Sequence, residues 1–86
     1  MTKAPQILIV DDNKPFRFLL AAFLEKARYE TAEAGDGQEA LNMIASEKPA
    51  AILLDLQMQP MGGFSFLEEF NALDLTIPVI MITGDD

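Results

Sequence analysis

Apolar residues occur in short unbroken runs along this chain, and two of those runs end in acids. Ile7-Leu8-Ile9-Val10 is followed by Asp11 and Asp12, and Ala51-Ile52-Leu53-Leu54 by Asp55. Runs of this length without helical spacing predict strands buried on both faces, as in a parallel sheet. A third such run, residues 79–82, precedes Thr83, Gly84, Asp85 and Asp86. Residues 29–34 alternate loosely and carry Glu30, which predicts an edge strand. The intervening segments read as helices. Asn13 is placed to cap the first, with Pro15 in its opening turn and an end near Ala27. Its apolar residues Phe16, Leu19, Leu20, Phe23 and Ala27 follow the helical period, while Phe18, Ala21 and Ala22 add a second flank, so two neighbours are expected. Asp36 with Glu39 predicts the cap of a second helix whose inner stripe is Ala40, Leu41, Ile44 and Ala45, and Pro49 prevents continuation. Residues 57–63 form a turn-rich loop before a third helix marked by Phe64, Leu67, Phe70 and Leu73. The predicted order is βαβαβαβ with right-handed crossovers.

Parallel strands bring their carboxyl ends side by side, about 5 Å apart. Asp11, Asp12 and Asp55 therefore converge on one sheet edge, the edge at which open α/β sheets bind ligands. A lone acid at a strand end is more often a turn former or helix cap. Three together resist joint ionisation unless a cation joins them, and an all-oxygen ligand set favours Mg²⁺ or Mn²⁺.

Composition narrows the function. The 86 residues make one small domain, 1–86, with 50% hydrophobic residues and a mean hydropathy of +0.16. The net charge of −8 opposes direct nucleic-acid binding and permits cation binding. The absence of Cys and His excludes disulfides, thiolate sites and imidazole chemistry. The first apolar run is too short for a signal peptide or membrane span, so a soluble, cytoplasmic protein is expected.

Three segments carry a family resemblance: residues 7–12; Asp55-Leu56-Gln57-Met58 with Gly63 behind it; and Ile77-Pro78-Val79-Ile80-Met81-Ile82-Thr83-Gly84. In this order and spacing the chain resembles the receiver (CheY-like) domain of two-component response regulators, a flavodoxin-like doubly wound parallel sheet. The resemblance implies strand order 2-1-3-4-5 with the fifth strand and helix missing, hence a C-terminally incomplete domain of order 2-1-3-4. It also implies roles: Asp55 as phosphoacceptor, Asp11 and Asp12 as acids holding Mg²⁺, the Gln57 backbone carbonyl as a further metal ligand, and Thr83 as the switch hydroxyl. Gln57 and Asp85 match positions that tune loss of the phosphoryl group. The expected partner is a histidine kinase or phosphotransfer protein. Departures are Gln59-Pro60, Gly62 where the family has an acid or amide, and no counterpart of the family's fifth-strand lysine, for which Lys14 is no substitute.

Two other functions compete with this one. A receiver fragment can serve as a non-phosphorylated interaction or dimerisation module, and a homodimer is expected, either through the open edge of the last strand with Phe18, Ala21 and Ala22 or by exchange of a terminal element between chains. A Mg²⁺-dependent phosphohydrolase also carries acids at strand ends. There, however, Asp55-Leu56-Gln57 puts an amide where a general acid is needed.

Overall fold

Seven elements follow one another in the computed structural model, which describes residues 5–55, 63–73 and 75–82. They are β1 (Gln6–Val10), α1 (Lys14–Lys26), β2 (Glu30–Ala34), α2 (Gly37–Ser46), β3 (Ala51–Asp55), α3 (Gly63–Ala72) and β4 (Val79–Ile82). All strand pairs are parallel, as the apolar runs predicted, and the order is β2-β1-β3-β4, as the family resemblance implied. The β1–β3 register pairs Val10 with Leu54, so the next residues along, Asp11 just past β1 and Asp55 at the last position of β3, lie side by side at the carboxyl edge.

Alternation along the strands splits the core into two layers. Leu8, Val10, Ile52 and Leu54 share one cluster with Ala34, with Ala40 and Ile44 of α2, and with Phe66 and Phe70 of α3. The two α3 rings stack, with centroids 5.8 Å apart. Ile7 and Ile9 occupy the alternate positions of β1 and are buried outside that cluster, as is Ala21 of α1, which lies against β1 and β2. Caps end the helices as expected: the side chain of Asn13 accepts the Phe16 N–H and that of Asp36 accepts the Glu39 N–H. The Glu39 carboxylate reaches back to the Gly35 N–H at 2.8 Å, one residue beyond the cap itself.

Four expectations about faces need correction. In α1 the buried residue is Ala21, while Leu19 and Phe23 of the predicted inner stripe are 66% and 74% exposed. Arg17 lies on the same side of the helix as Ala21 and Leu24, and its bonds to Asp11 and Glu33 tie that side to the sheet. In α3 the buried pair is Phe66 and Phe70, and Leu73 is half exposed. In α2 Ala45 is exposed, and the inner positions are Gly37, Ala40 and Ile44. The strand β4, predicted as buried, leaves Ile80 and Met81 each 53% exposed. Among the described residues it pairs with β3 alone, and α1 covers the other half of the sheet. No helix among the described residues is long and apolar enough to cross a membrane.

Candidate functional site

Two strand ends and one helix start build the site. β1 delivers Asp11 and Asp12, β3 delivers Asp55, and one carboxylate oxygen from each of the three lies within 4.8 Å of the others. Asp11 and Asp55 are buried and Asp12 is exposed, so the cluster opens to solvent on one side.

Asp11 is tied down at every polar group. Its N–H donates to the Ala34 carbonyl at 3.1 Å, continuing the β1–β2 ladder by one bond. Its Oδ1 accepts the Asn13 N–H at 2.9 Å, and its carbonyl accepts Arg17 Nη1 at 2.6 Å. Asn13 thus serves twice, as cap of α1 and as a backbone donor to the acid. The helix start behind it adds a favourable dipole for negative charge.

Burial pushes the Asp11 carboxyl above its ordinary range. The Asn13 N–H bond opposes that rise, while the charges of Asp55 and Asp12 and a side-chain hydrogen bond with Asp55 add to it. Acids this close, two of them buried, repel one another when ionised, a cost that a divalent cation would remove. The donor set is wholly oxygen, which suits a hard cation.

The structure therefore brings together Asp11, Asp12 and Asp55, the three acids expected from the sequence. Gln57, Thr83 and Asp85 lie outside the described residues. Lys14 opens α1 and is exposed. Arg17 was not anticipated as part of the site, although a charged residue within the apolar run of α1, six positions after Asp11, was a visible signal. A cavity of about 150 Å³ lies at the opposite end of β1, lined by Gln6, Leu8, Ala32, Met43, Glu47 and Pro49 among others. It shares no residue with the acidic edge.

A four-stranded parallel α/β sheet with three acids gathered on its carboxyl edge, the edge at which open α/β sheets bind ligands, defines a flavodoxin-like domain. The chain belongs to the response regulator receiver domain family, whose model matches residues 7–86. Sporulation initiation phosphotransferase F of Bacillus subtilis is 37% identical over 79 residues, covering 92% of this chain and 64% of that protein. The phosphate regulon transcriptional regulatory protein PhoB of Pseudomonas aeruginosa is 42% identical over 80 residues, 91% of this chain and 35% of the relative. Among solved structures, the N-terminal domain of a response regulator receiver protein from Methanoculleus marisnigri superimposes with a TM-score of 0.90 at 33% identity, covering 96% of this chain and 69% of the other. The chain thus spans less than two thirds of the length of these curated relatives.

Proposed function

We propose that this chain is a phosphoacceptor module of two-component signalling in which Asp55 takes a phosphoryl group from the phosphohistidine of a histidine kinase or phosphotransfer protein. The observation that carries this reading is Asp55, buried at the end of β3 with the acids of β1 within 4.8 Å. In the transfer, an Asp55 carboxylate oxygen forms a bond to phosphorus as the phosphorus–nitrogen bond breaks, and the electron pair leaves with the imidazole. Asp11, Asp12 and Asp55 would hold Mg²⁺ or Mn²⁺, with the Gln57 carbonyl as a further ligand by resemblance. When bound there, a divalent cation would supply positive charge against phosphoryl oxygens that the three acids alone would repel. The acyl phosphate adds about one negative charge to the edge, toward which Thr83 turns as the switch hydroxyl. A phosphohydrolase is disfavoured, since Gln57 stands where its general acid would be and the chain has no His. A cytoplasmic module with no direct nucleic-acid contact agrees with the net charge of −8.

Acetyl phosphate with Mg²⁺, followed by intact mass measurement, tests the reading. One phosphoryl adduct is expected on the wild type, and none on Asp55→Asn or when the metal is chelated. An adduct that persists in Asp55→Asn would remove Asp55 from the role. A second reading, self-association, is favoured by the exposed Phe18, Leu19, Phe23, Ile80 and Met81, and we propose a homodimer through these surfaces, from which Ala21 of the expected flank is withdrawn by its burial.

A further inference from the structure

We propose that Arg17 is a positioning residue for the acidic site, setting the turn that carries Asp11 and Asp12 through a main-chain bond. The inference rests on the metal-binding reading of those acids. Arg17 lies on the side of α1 that faces the sheet, with its side chain only 14% exposed. Nη1 donates to the Asp11 carbonyl at 2.6 Å, while Nε donates to Oε1 of Glu33 on β2 at 3.1 Å. The guanidinium therefore clamps the end of β1 to its neighbouring strand.

The carbonyl it holds is the sensitive one. That oxygen shares a rigid peptide plane with the Asp12 N–H, so fixing it fixes the plane from which the Asp12 side chain departs. It also belongs to a residue only 2% exposed, just past the end of β1, where a carbonyl without a donor would be costly. With the Asp11 N–H on Ala34 and its carboxylate on the Asn13 N–H, the Arg17 bond completes the fixation of the turn.

Geometry, not charge, is the active property. The groups acting on the Asp11 carboxyl are its burial, Asn13, Asp55 and Asp12, and the guanidinium faces the carbonyl instead. Two donors at a fixed angle are needed to meet Asp11 and Glu33 at once, which an arginine fork provides and a lysine ammonium does not.

The test compares Arg17→Lys and Arg17→Gln with wild type, using Mn²⁺ as the probe and paramagnetic resonance or calorimetry to measure its Kd. Thr31→Val is the control. It cuts the other side-chain link between α1 and β2, the 2.8 Å bond from Thr31 to Glu25, at the far end of the helix. Hydrogen exchange of the Asn13 amide in metal-free protein is followed in parallel. Both Arg17 variants are expected to bind Mn²⁺ about tenfold more weakly, the scale seen when groups supporting metal ligands are removed. Both should also lose protection at Asn13, while Thr31→Val keeps wild-type values.

Full rescue by Arg17→Lys would overturn the proposal by showing that charge suffices, and an equal loss in Thr31→Val would overturn it by showing a general effect of helix docking. If the Arg17 variants do not fold, Glu33→Ala carries the test, because it frees the guanidinium from β2. Weakened Mn²⁺ binding there supports the proposal, and unchanged binding overturns it. A wild type that binds no Mn²⁺ sinks the metal reading instead, and Asn13 exchange still decides whether Arg17 holds the turn.

Discussion

Asp11 is where the cost of the site is concentrated. Its carboxyl is raised above 3.8, first by burial and then by Asp55 and Asp12. Between that value and the higher folded one, the native chain keeps a proton that the unfolded chain has released. The stabilising contribution of this group is therefore complete below pH 3.8 and is lost as pH rises through the folded pKa. At neutral pH the metal-free protein carries the penalty in full. Asp11→Asn keeps an oxygen for the Asn13 N–H and removes the charge, so it is expected to stabilise metal-free protein at pH 7 and to lose that advantage below pH 3.8. Saturating Mg²⁺ should reverse the order. Ligand at a hundredfold excess over Kd stabilises by about 2.7 kcal/mol, and the variant should gain much less. Thermal melts of both proteins across pH, with and without Mg²⁺, measure these differences. A pH-independent gap between them would show that burial and repulsion at Asp11 are not what the substitution relieves.

At the level of elements, α1 ends in a backbone conformation that its residue does not favour. The Tyr29 N–H donates to the Leu24 carbonyl at 3.1 Å and the Arg28 N–H to the Glu25 carbonyl at 3.0 Å, the paired bonds of a Schellman cap. Arg28 takes φ = 74° to make them, the left-handed region that glycine enters freely. Arg28→Gly relieves that strain but loosens the unfolded chain, so a net gain of about 0.5–1 kcal/mol is expected. A rise in Tm of a few degrees, about 4–8 °C per kcal/mol for a domain of this size, is the readout. A lower Tm would mean that the exposed Arg28 side chain contributes more than its backbone costs. The orientation of α1 was much harder to read from the sequence than its ends. Asn13, Pro15 and the runs of β1 and β3 were legible because capping chemistry and burial on both faces leave few alternatives, and the acids were legible because they terminate those two runs. In α1, by contrast, apolar residues surround almost the whole helix, and periodicity has little left to select between faces. Arg17 ties one side to the sheet, through partners on β1 and β2 that only the tertiary fold supplies. The same ambiguity affected α3, where Phe64 and Phe66 begin competing stripes. For β4 the apolar run reported a capacity for burial and not the neighbours that would achieve it.

Across the whole molecule, apolar surface is distributed unevenly. α2 and α3 bury one face of the sheet well, whereas α1 covers the other face over β1 and β2 only. Leu19 and Phe23 are exposed on the helix, Ile80 and Met81 on β4, and β4 pairs with β3 alone among the described residues. An apolar strand with an open edge is a template for another chain. A second copy offers the same helix flank and the same edge, and a two-fold axis would close both without open-ended growth. Burying a few hundred Å² at about 25 cal/mol per Å² gives several kcal/mol, comparable with the whole stability of a small domain. The charge of −8 on each copy opposes this, and salt screens it, so association should strengthen with ionic strength. Light scattering on the gel-filtered protein is expected to give a dimer, more fully populated at high salt. Phe23→Glu should lower the mass to that of a monomer and leave circular dichroism unchanged, because Phe23 is 74% exposed and makes little of the fold. A wild type that remains a monomer at high salt, unfolds cooperatively and binds no dye for exposed apolar surface would show that the uncovered face is stable in water, and the homodimer would have to be abandoned.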